Sequence, residues 1–418
     1  MFIVNILKFR ASYGLLGNQN TTNWYQTYQT MSVGSSNGAW LMNGNKPNTA
    51  SAPGLVSASL TWETIESYNL GLDWGVFNNR LTGSFDWYIR DTKNMVGNAP
   101  ELPALLGTGV PITNNTDLRT SGWELSIGWN DRLNNGFTYG GKFNVSDART
   151  KITRYPNNPT KAVSTYIEGR YTNEIWGYTT VGLAKTDEEM QAHLATMPNG
   201  GQSALGSDWK AGDIMYADIN GDGKISGGSG TLNDTGDWTV IGNTTPRYLF
   251  GLDLNASWKG FDLRMFFQGV MKRDFWQGST YLFGAGNSGM WHATGIESVS
   301  DYFRNDDTWS VQEGYQSPNL NSYLPRPLYS NKNLQTQTRY LQSAAYIRLK
   351  NLQLGYTFPT RLTSRYGVQN LRIYFSGENL WTGTSLVDQF DPETISGGSG
   401  GNGYPLSRTL SCGLSVTF

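Results

Sequence analysis

The sequence holds a single cysteine, Cys412, and two histidines, His193 and His292, in 418 residues. One thiol excludes an intramolecular disulfide and any multi-cysteine zinc site. Two imidazoles exclude a multi-histidine metal centre, and each reads as a plain loop residue. No run of about 18 apolar residues exists, so no transmembrane helix is expected. The start, MFIVNILKFRASYG, is apolar for only a few residues and lacks a small-residue cleavage site, which makes it a poor signal peptide. Charge is scarce as well: 16% of residues, with 32 Lys plus Arg against 33 Asp plus Glu. That near-balance leaves no electrostatic footprint for nucleic acid. Neighbouring acids such as Asp306 with Asp307 do not meet the separation that glycoside hydrolysis requires, and no enzyme is expected.

Glycine and aromatic rings are abundant instead: 50 Gly, 23 Tyr and 15 Trp. Such a composition favours many strands joined by Gly-rich turns over a long disordered tract. Alternation confirms it locally. In YLFGLDLNASW, Tyr248, Phe250, Leu252, Leu254, Ala256 and Trp258 share one face, and Gly251, Asp253, Asn255 and Ser257 the other. GSFDWYIR and LRIYFSGENLWT alternate in the same way. The mean hydropathy of -0.45 does not argue against a membrane, because barrel strands hide their apolar residues by alternation.

The links between these segments alternate in length. FNNR, NDRLNNG, KG and PTRLTSRYGVQN are short; Gly17–Thr61, Asp91–Thr120, Ser146–Pro246, Met271–Ala344 and Gly383–Ser407 are long. Short-long alternation is the signature of an up-and-down outer-membrane barrel, with periplasmic turns on one side and extracellular loops on the other. About ten strands, each roughly 9–11 residues long, are expected. Trp74, Trp87, Trp123, Trp129, Trp258 and Trp381 sit at strand ends as interfacial girdles demand. The opposite face carries Arg90, Glu124, Lys142, Asp253, Arg264, Arg372 and Glu378, too many charges for a dry core. The fold class is therefore all-β, an antiparallel transmembrane β-barrel. The last strand ends on Phe418, which resembles the signal read by the barrel assembly machinery.

LKFRASYGLLGNQN, TSGWELSIGWN, YADINGDGKIS, GDWTVIGNTTPRYLFGLDLNASWKGFDLRMFFQGV, YIRLKNLQLGYTFP and LRIYFSGENLWT occur in this order. Together they resemble the C-terminal half of SusC/RagA-type TonB-dependent outer-membrane transporters, over nearly the whole chain. The resemblance implies a barrel of about 22 strands, of which residues 1–418 supply the C-terminal part, with the plug domain and TonB box absent from the chain. It also implies import of oligosaccharides or peptides, powered through TonB and shared with a SusD-like surface lipoprotein, in a Gram-negative outer membrane. Tyr281, Trp291, Asp388 and Asp391 are candidate substrate contacts, since sugars stack on rings and bond to carboxylates. Packing of these loops on each other or on the lipoprotein is the competing explanation. TDEEMQAHLATM, Thr186–Met197, reads as a short helix with a capping box at Thr186 and Glu189.

One stretch of the 146–246 loop imitates an EF-hand. DINGDGKIS places side-chain oxygens at Asp218, Asn220 and Asp222, a glycine at Gly223, and a carbonyl at Lys224. The twelfth position is Ser229 instead of a bidentate Glu, and Asp234 or Asp237 could supply the missing carboxylate. A structural Ca2+ is one expectation; a metal-free loop held by Asx-turns is the other. A soluble calcium-dependent carbohydrate-binding β-protein is the alternative to the transporter.

Overall fold

The computed structural model describes residues 4–19, 27–35, 41–51, 53–101, 103, 105, 107–284, 297–396 and 403–418. Ten strands form one antiparallel sheet, each paired with the next along the chain. They are β1 (Val4–Asn18), β2 (Glu63–Val76), β3 (Leu81–Asn98), β4 (Ile112–Arg132), β5 (Thr138–Arg154), β6 (Arg247–Trp258), β7 (Phe261–Lys272), β8 (Tyr346–Thr357), β9 (Asn370–Thr384) and β10 (Thr409–Thr417). Among the described residues no pairing joins β1 to β10, so the sheet is an open length of barrel wall. Such edges leave a row of unpaired amides, which lipid cannot satisfy.

The turn chemistry explains the tight connections. Between β6 and β7, Lys259 and Gly260 both adopt positive φ (47° and 89°), the type I′ pattern whose twist matches the flanking strands. Between β2 and β3, Phe77, Asn78 and Asn79 are all left-handed, and Asn5 Oδ1 accepts from the Asn78 amide at 2.7 Å.

Register places the apolar set on one face. Phe85, Leu125, Val145 and Phe250 lie side by side across four strands, as do Leu252, Phe143 and Phe267. This face is uncovered: Phe9 is 77% exposed and Leu414 64%. Contiguous apolar surface of that extent belongs against lipid. Aromatic side chains flank it on both sides: Trp74, Trp129 and Trp258 towards the short turns, Trp87, Trp123 and Trp381 towards the long loops.

Two expectations need correction. Strands of 9–11 residues are too short for most of the wall, because β4 runs for 21 residues and β3 for 18. Polar upper segments continue the ladder beyond the apolar belt, and bulges at Thr92–Met95 absorb the irregularity. The expected Asp91–Thr120 loop is consequently reduced to residues 99–111. His193 lies in the last turn of a helix, not in a loop.

The buried core is elsewhere. The long excursions fold over the outer end of the wall into a cap, whose centre holds Tyr178, Met190, Ile214, Tyr216, Ile225 and Tyr340, none more than 2% exposed. Short two-stranded ribbons frame it, Thr180–Leu183 with Ile214–Tyr216 and Asp274–Trp276 with Leu341–Ser343. The cap also contains the expected short helix, α1 (Asp187–Ala195). Thr186 Oγ1 accepts from the Glu189 amide, while Glu189 Oε2 reaches back to the Lys185 amide at 2.6 Å, one residue beyond the N-cap amide of an ordinary capping box.

Candidate functional site

The inward face of the wall is polar, and several of its charges are paired across strands. Arg10 on β1 donates to Asp73 on β2 and to Asp86 on β3, at 2.9 and 2.8 Å. Arg264 pairs with Asp253 on the neighbouring strand, and Arg372 on β9 reaches over Gly355 of β8 to Asp262 on β7. Bidentate guanidinium–carboxylate geometry keeps these side chains upright and wets the wall without a net charge.

Against the inward face of the ladder a cavity of about 580 Å3 opens along β3–β7, lined by Glu124, Ser126, Asn144 and Gln268 and, beyond them, by Arg273, Tyr346 and Glu393. Its mouth is organised by Arg348, which is 3% exposed. Arg348 Nε donates to Thr382 Oγ1 at 2.7 Å and Nη2 to Asp391 at 2.8 Å; Glu393 stands 3.4 Å from Nη1. Lys350 adds a second cation to Glu393 at 2.9 Å. Burial opposes ionisation of Asp391, yet the Glu393 amide and Arg348 outweigh it and hold the carboxyl below its usual value.

The four candidate contacts fare differently. Asp391 is committed to Arg348, so its carboxylate positions the mouth instead of reaching outward. Asp388 is exposed on the same loop. Tyr281, 42% exposed, lies beside that loop, because Gln389 Nε2 donates to its carbonyl. Trp291 lies outside the described residues. Arg348 was missed. Its inward parity in YIRLK was readable, but its partner lies 43 positions along the chain.

In the DINGDG turn, Asp218 accepts from the Gly221 and Gly223 amides, both at 2.8 Å. Asn220 and Asp222 form successive Asx contacts to the Asp222 and Lys224 amides. Asp237, fully buried, is folded against the same turn and accepts from the Ile219 and Ser226 amides at 2.8 Å. Asp234 instead caps Ser229. Burial, with Asp218 nearby, raises the Asp237 carboxyl above its usual value despite those amides. Among the described residues no three His, Cys, Asp or Glu side chains converge as a metal-binding group.

Residues 3–265 match the family model for the TonB dependent receptor-like β-barrel. The chain belongs to that family. Curated relatives align along essentially its full length: TonB-dependent receptor P3 of Formosa agariphila at 28% identity, over 98% of this chain and 39% of that protein, and TonB-dependent receptor SusC of Bacteroides thetaiotaomicron at 24%, over 100% and 38%. This TonB-dependent receptor chain thus spans about two fifths of the length of the relatives it matches. The RagAB peptide transporter has the same fold, with a TM-score of 0.71 at 22% identity over 99% of this chain and 41% of that one. Members of the family are outer-membrane transport barrels, not enzymes, and this chain is a length of outer-membrane barrel wall. The soluble carbohydrate-binding alternative is overturned by the family and by the uncovered apolar belt.

Proposed function

We propose that this chain forms wall and external cap of an importer that takes oligosaccharides or peptides across the outer membrane, with energy from TonB and a SusD-like lipoprotein over its mouth. One observation carries the reading: a polar, charge-paired inner wall leads through a cavity of about 580 Å3 to a mouth beneath a folded external cap. Tyr281 and Asp388 are the contacts left free to meet cargo there. The chemistry suits neutral or zwitterionic polymers, since ring faces and paired charges reward hydroxyls and amides. Phe418, 80% exposed at the end of β10, is offered to the assembly machinery.

The test is uptake by cells lacking the gene, complemented with the wild-type protein or the Tyr281→Ala/Asp388→Ala variant. Labelled glycan and peptide pools are followed in parallel. Restored uptake of one pool, reduced in the variant at equal surface expression, is the expected result. Equal uptake with and without the gene in both pools would refute it.

A Ca2+ ion in the DINGDG turn is the second part of the proposal. It is favoured by Asp237, a fully buried carboxylate beside Asp218 with only amide partners, whose burial a cation would compensate. Asp218, Asn220, Asp222, the Lys224 carbonyl and Asp237 would be the ligands. Terbium luminescence sensitised by nearby Trp238 should titrate in the wild type and vanish in Asp218→Ala/Asp222→Ala. No signal in the wild type would leave the Asx-turn knot as the whole explanation.

A further inference from the structure

The outward face changes character sharply at the outer end of the apolar belt. Continuing the outward parity past Tyr68, Ile89, Trp123 and Val145 gives Glu66 on β2, Asp91 and Lys93 on β3, Ser121 and Arg119 on β4, and Asp147, Arg149 and Lys151 on β5. The three acids are already engaged. Glu66 takes Lys93 at 2.5 Å, Asp91 takes Arg119 in a fork at 2.7 Å, and Asp147 takes Arg247.

Two cations remain. Arg149 and Lys151 are exposed and have no carboxylate partner among the described residues. Lys151 stands directly opposite Arg119 in the ladder, a like-charge pairing relieved only on the Arg119 side, by Asp91. Arg149 is braced over the Tyr171 ring at 3.7 Å, so its guanidinium is held in place without being neutralised. Beside it lies a hollow of about 280 Å3 bounded also by Arg247 and Lys272. Of the two acids of that hollow, Glu174 is paired with Arg170, and Asp274 accepts from the Asn243 amide.

We propose that Arg149 and Lys151 bind the phosphate groups of an outer-leaflet glycolipid, anchoring the barrel in that leaflet. The occupant follows from position: this cluster continues the lipid-facing surface, at the end of the belt capped by the external loops, where charged headgroups and not acyl chains meet the wall. Fixed cations matched to phosphate oxygens make charge-assisted hydrogen bonds there. The inference goes beyond cargo import and needs only the outer-membrane placement.

The test uses the full-length protein, purified in mild detergent and titrated with phosphorylated lipid A, with dephosphorylated lipid A as the parallel arm. The Arg149→Gln/Lys151→Gln variant should bind the phosphorylated form roughly twenty-five-fold more weakly, at about a fivefold loss per cation. Wild type and variant should bind the dephosphorylated form alike. Heat-modifiable migration confirms that the variant barrel is folded; if the double variant does not assemble, Lys151→Gln alone should show the fivefold loss. Unchanged affinity in a folded variant, or a wild type indifferent to the phosphate, would overturn the proposal.

Discussion

The wall and the cap solve opposite problems with the same amino acids. In the wall, Leu252 and Phe143 face outward with no protein above them, while Arg264 and Asp253 face inward. In the cap, Tyr216 and Ile214 are sealed inside, and the charged Asp213 is sealed with them. Asp213 is fully buried and accepts from Arg326, Lys332 and Asn333 at 2.7–2.8 Å; Lys332, 3% exposed, also lies over the Trp209 ring. These contacts tie residues 208–213 to residues 326–333, more than a hundred positions apart. An ion pair is thus wet scaffolding in one region and a buried knot in the other, and lipid stands in the wall where protein stands in the cap.

The largest expected effect follows from the knot. Asp213→Ala strands two cations in a dry site and should cost the cap about 3–5 kcal/mol. Protease nicking within residues 170–240 should rise steeply while heat-modifiable barrel migration is unchanged. Acid should act on the same group. Burial opposes its charge, but Arg326, Asn333 and Lys332 hold the carboxyl below its usual value. Its contribution is therefore complete above the ordinary aspartate value of about 3.9 and is lost as pH falls below that through the folded value. Hydrogen exchange of the cap followed down to about pH 3 should show it loosening first; opening at neutral pH and tightening in acid would reverse the sign.

A slightly smaller effect distinguishes the two faces of one strand. Leu252→Arg, in the middle of the outward row of β6, should cost about 2–4 kcal/mol in bilayer refolding, whereas Asn255→Arg on the inward face should be nearly neutral. Equal costs would mean that the faces are misassigned. Smallest of all is Arg264→Ala: its pair with Asp253 is 61% exposed on the arginine side, and its loss should cost below about 1 kcal/mol.

The wall was legible because alternation is local: each strand announces both its faces, and the parity of short and long links announces which end is outside. The cap was not. Tyr178 and Tyr216 come from one excursion and Tyr340 from another, neither with periodicity, and Asp213 meets Lys332 across 119 positions. Long links were read as polar loops, yet they hold the described buried core. At the site, Tyr281 lies beside the Asp388 loop, while Asp391 is withdrawn by Arg348, a pairing no short motif encodes. Asp237 is the converse case, a distant carboxylate assigned to the DINGDG turn from loop chemistry and found folded against it.

Cys412 offers the most direct test of the central claim, that the alternating apolar row faces lipid. It is the sole cysteine of the sequence and stands in β10 opposite Phe375, within the outward belt. In intact outer membranes a charged, water-soluble maleimide should leave Cys412 unlabelled, and label it fully once the barrel is unfolded in hot SDS. Labelling in intact membranes as fast as in the unfolded protein would contradict the account.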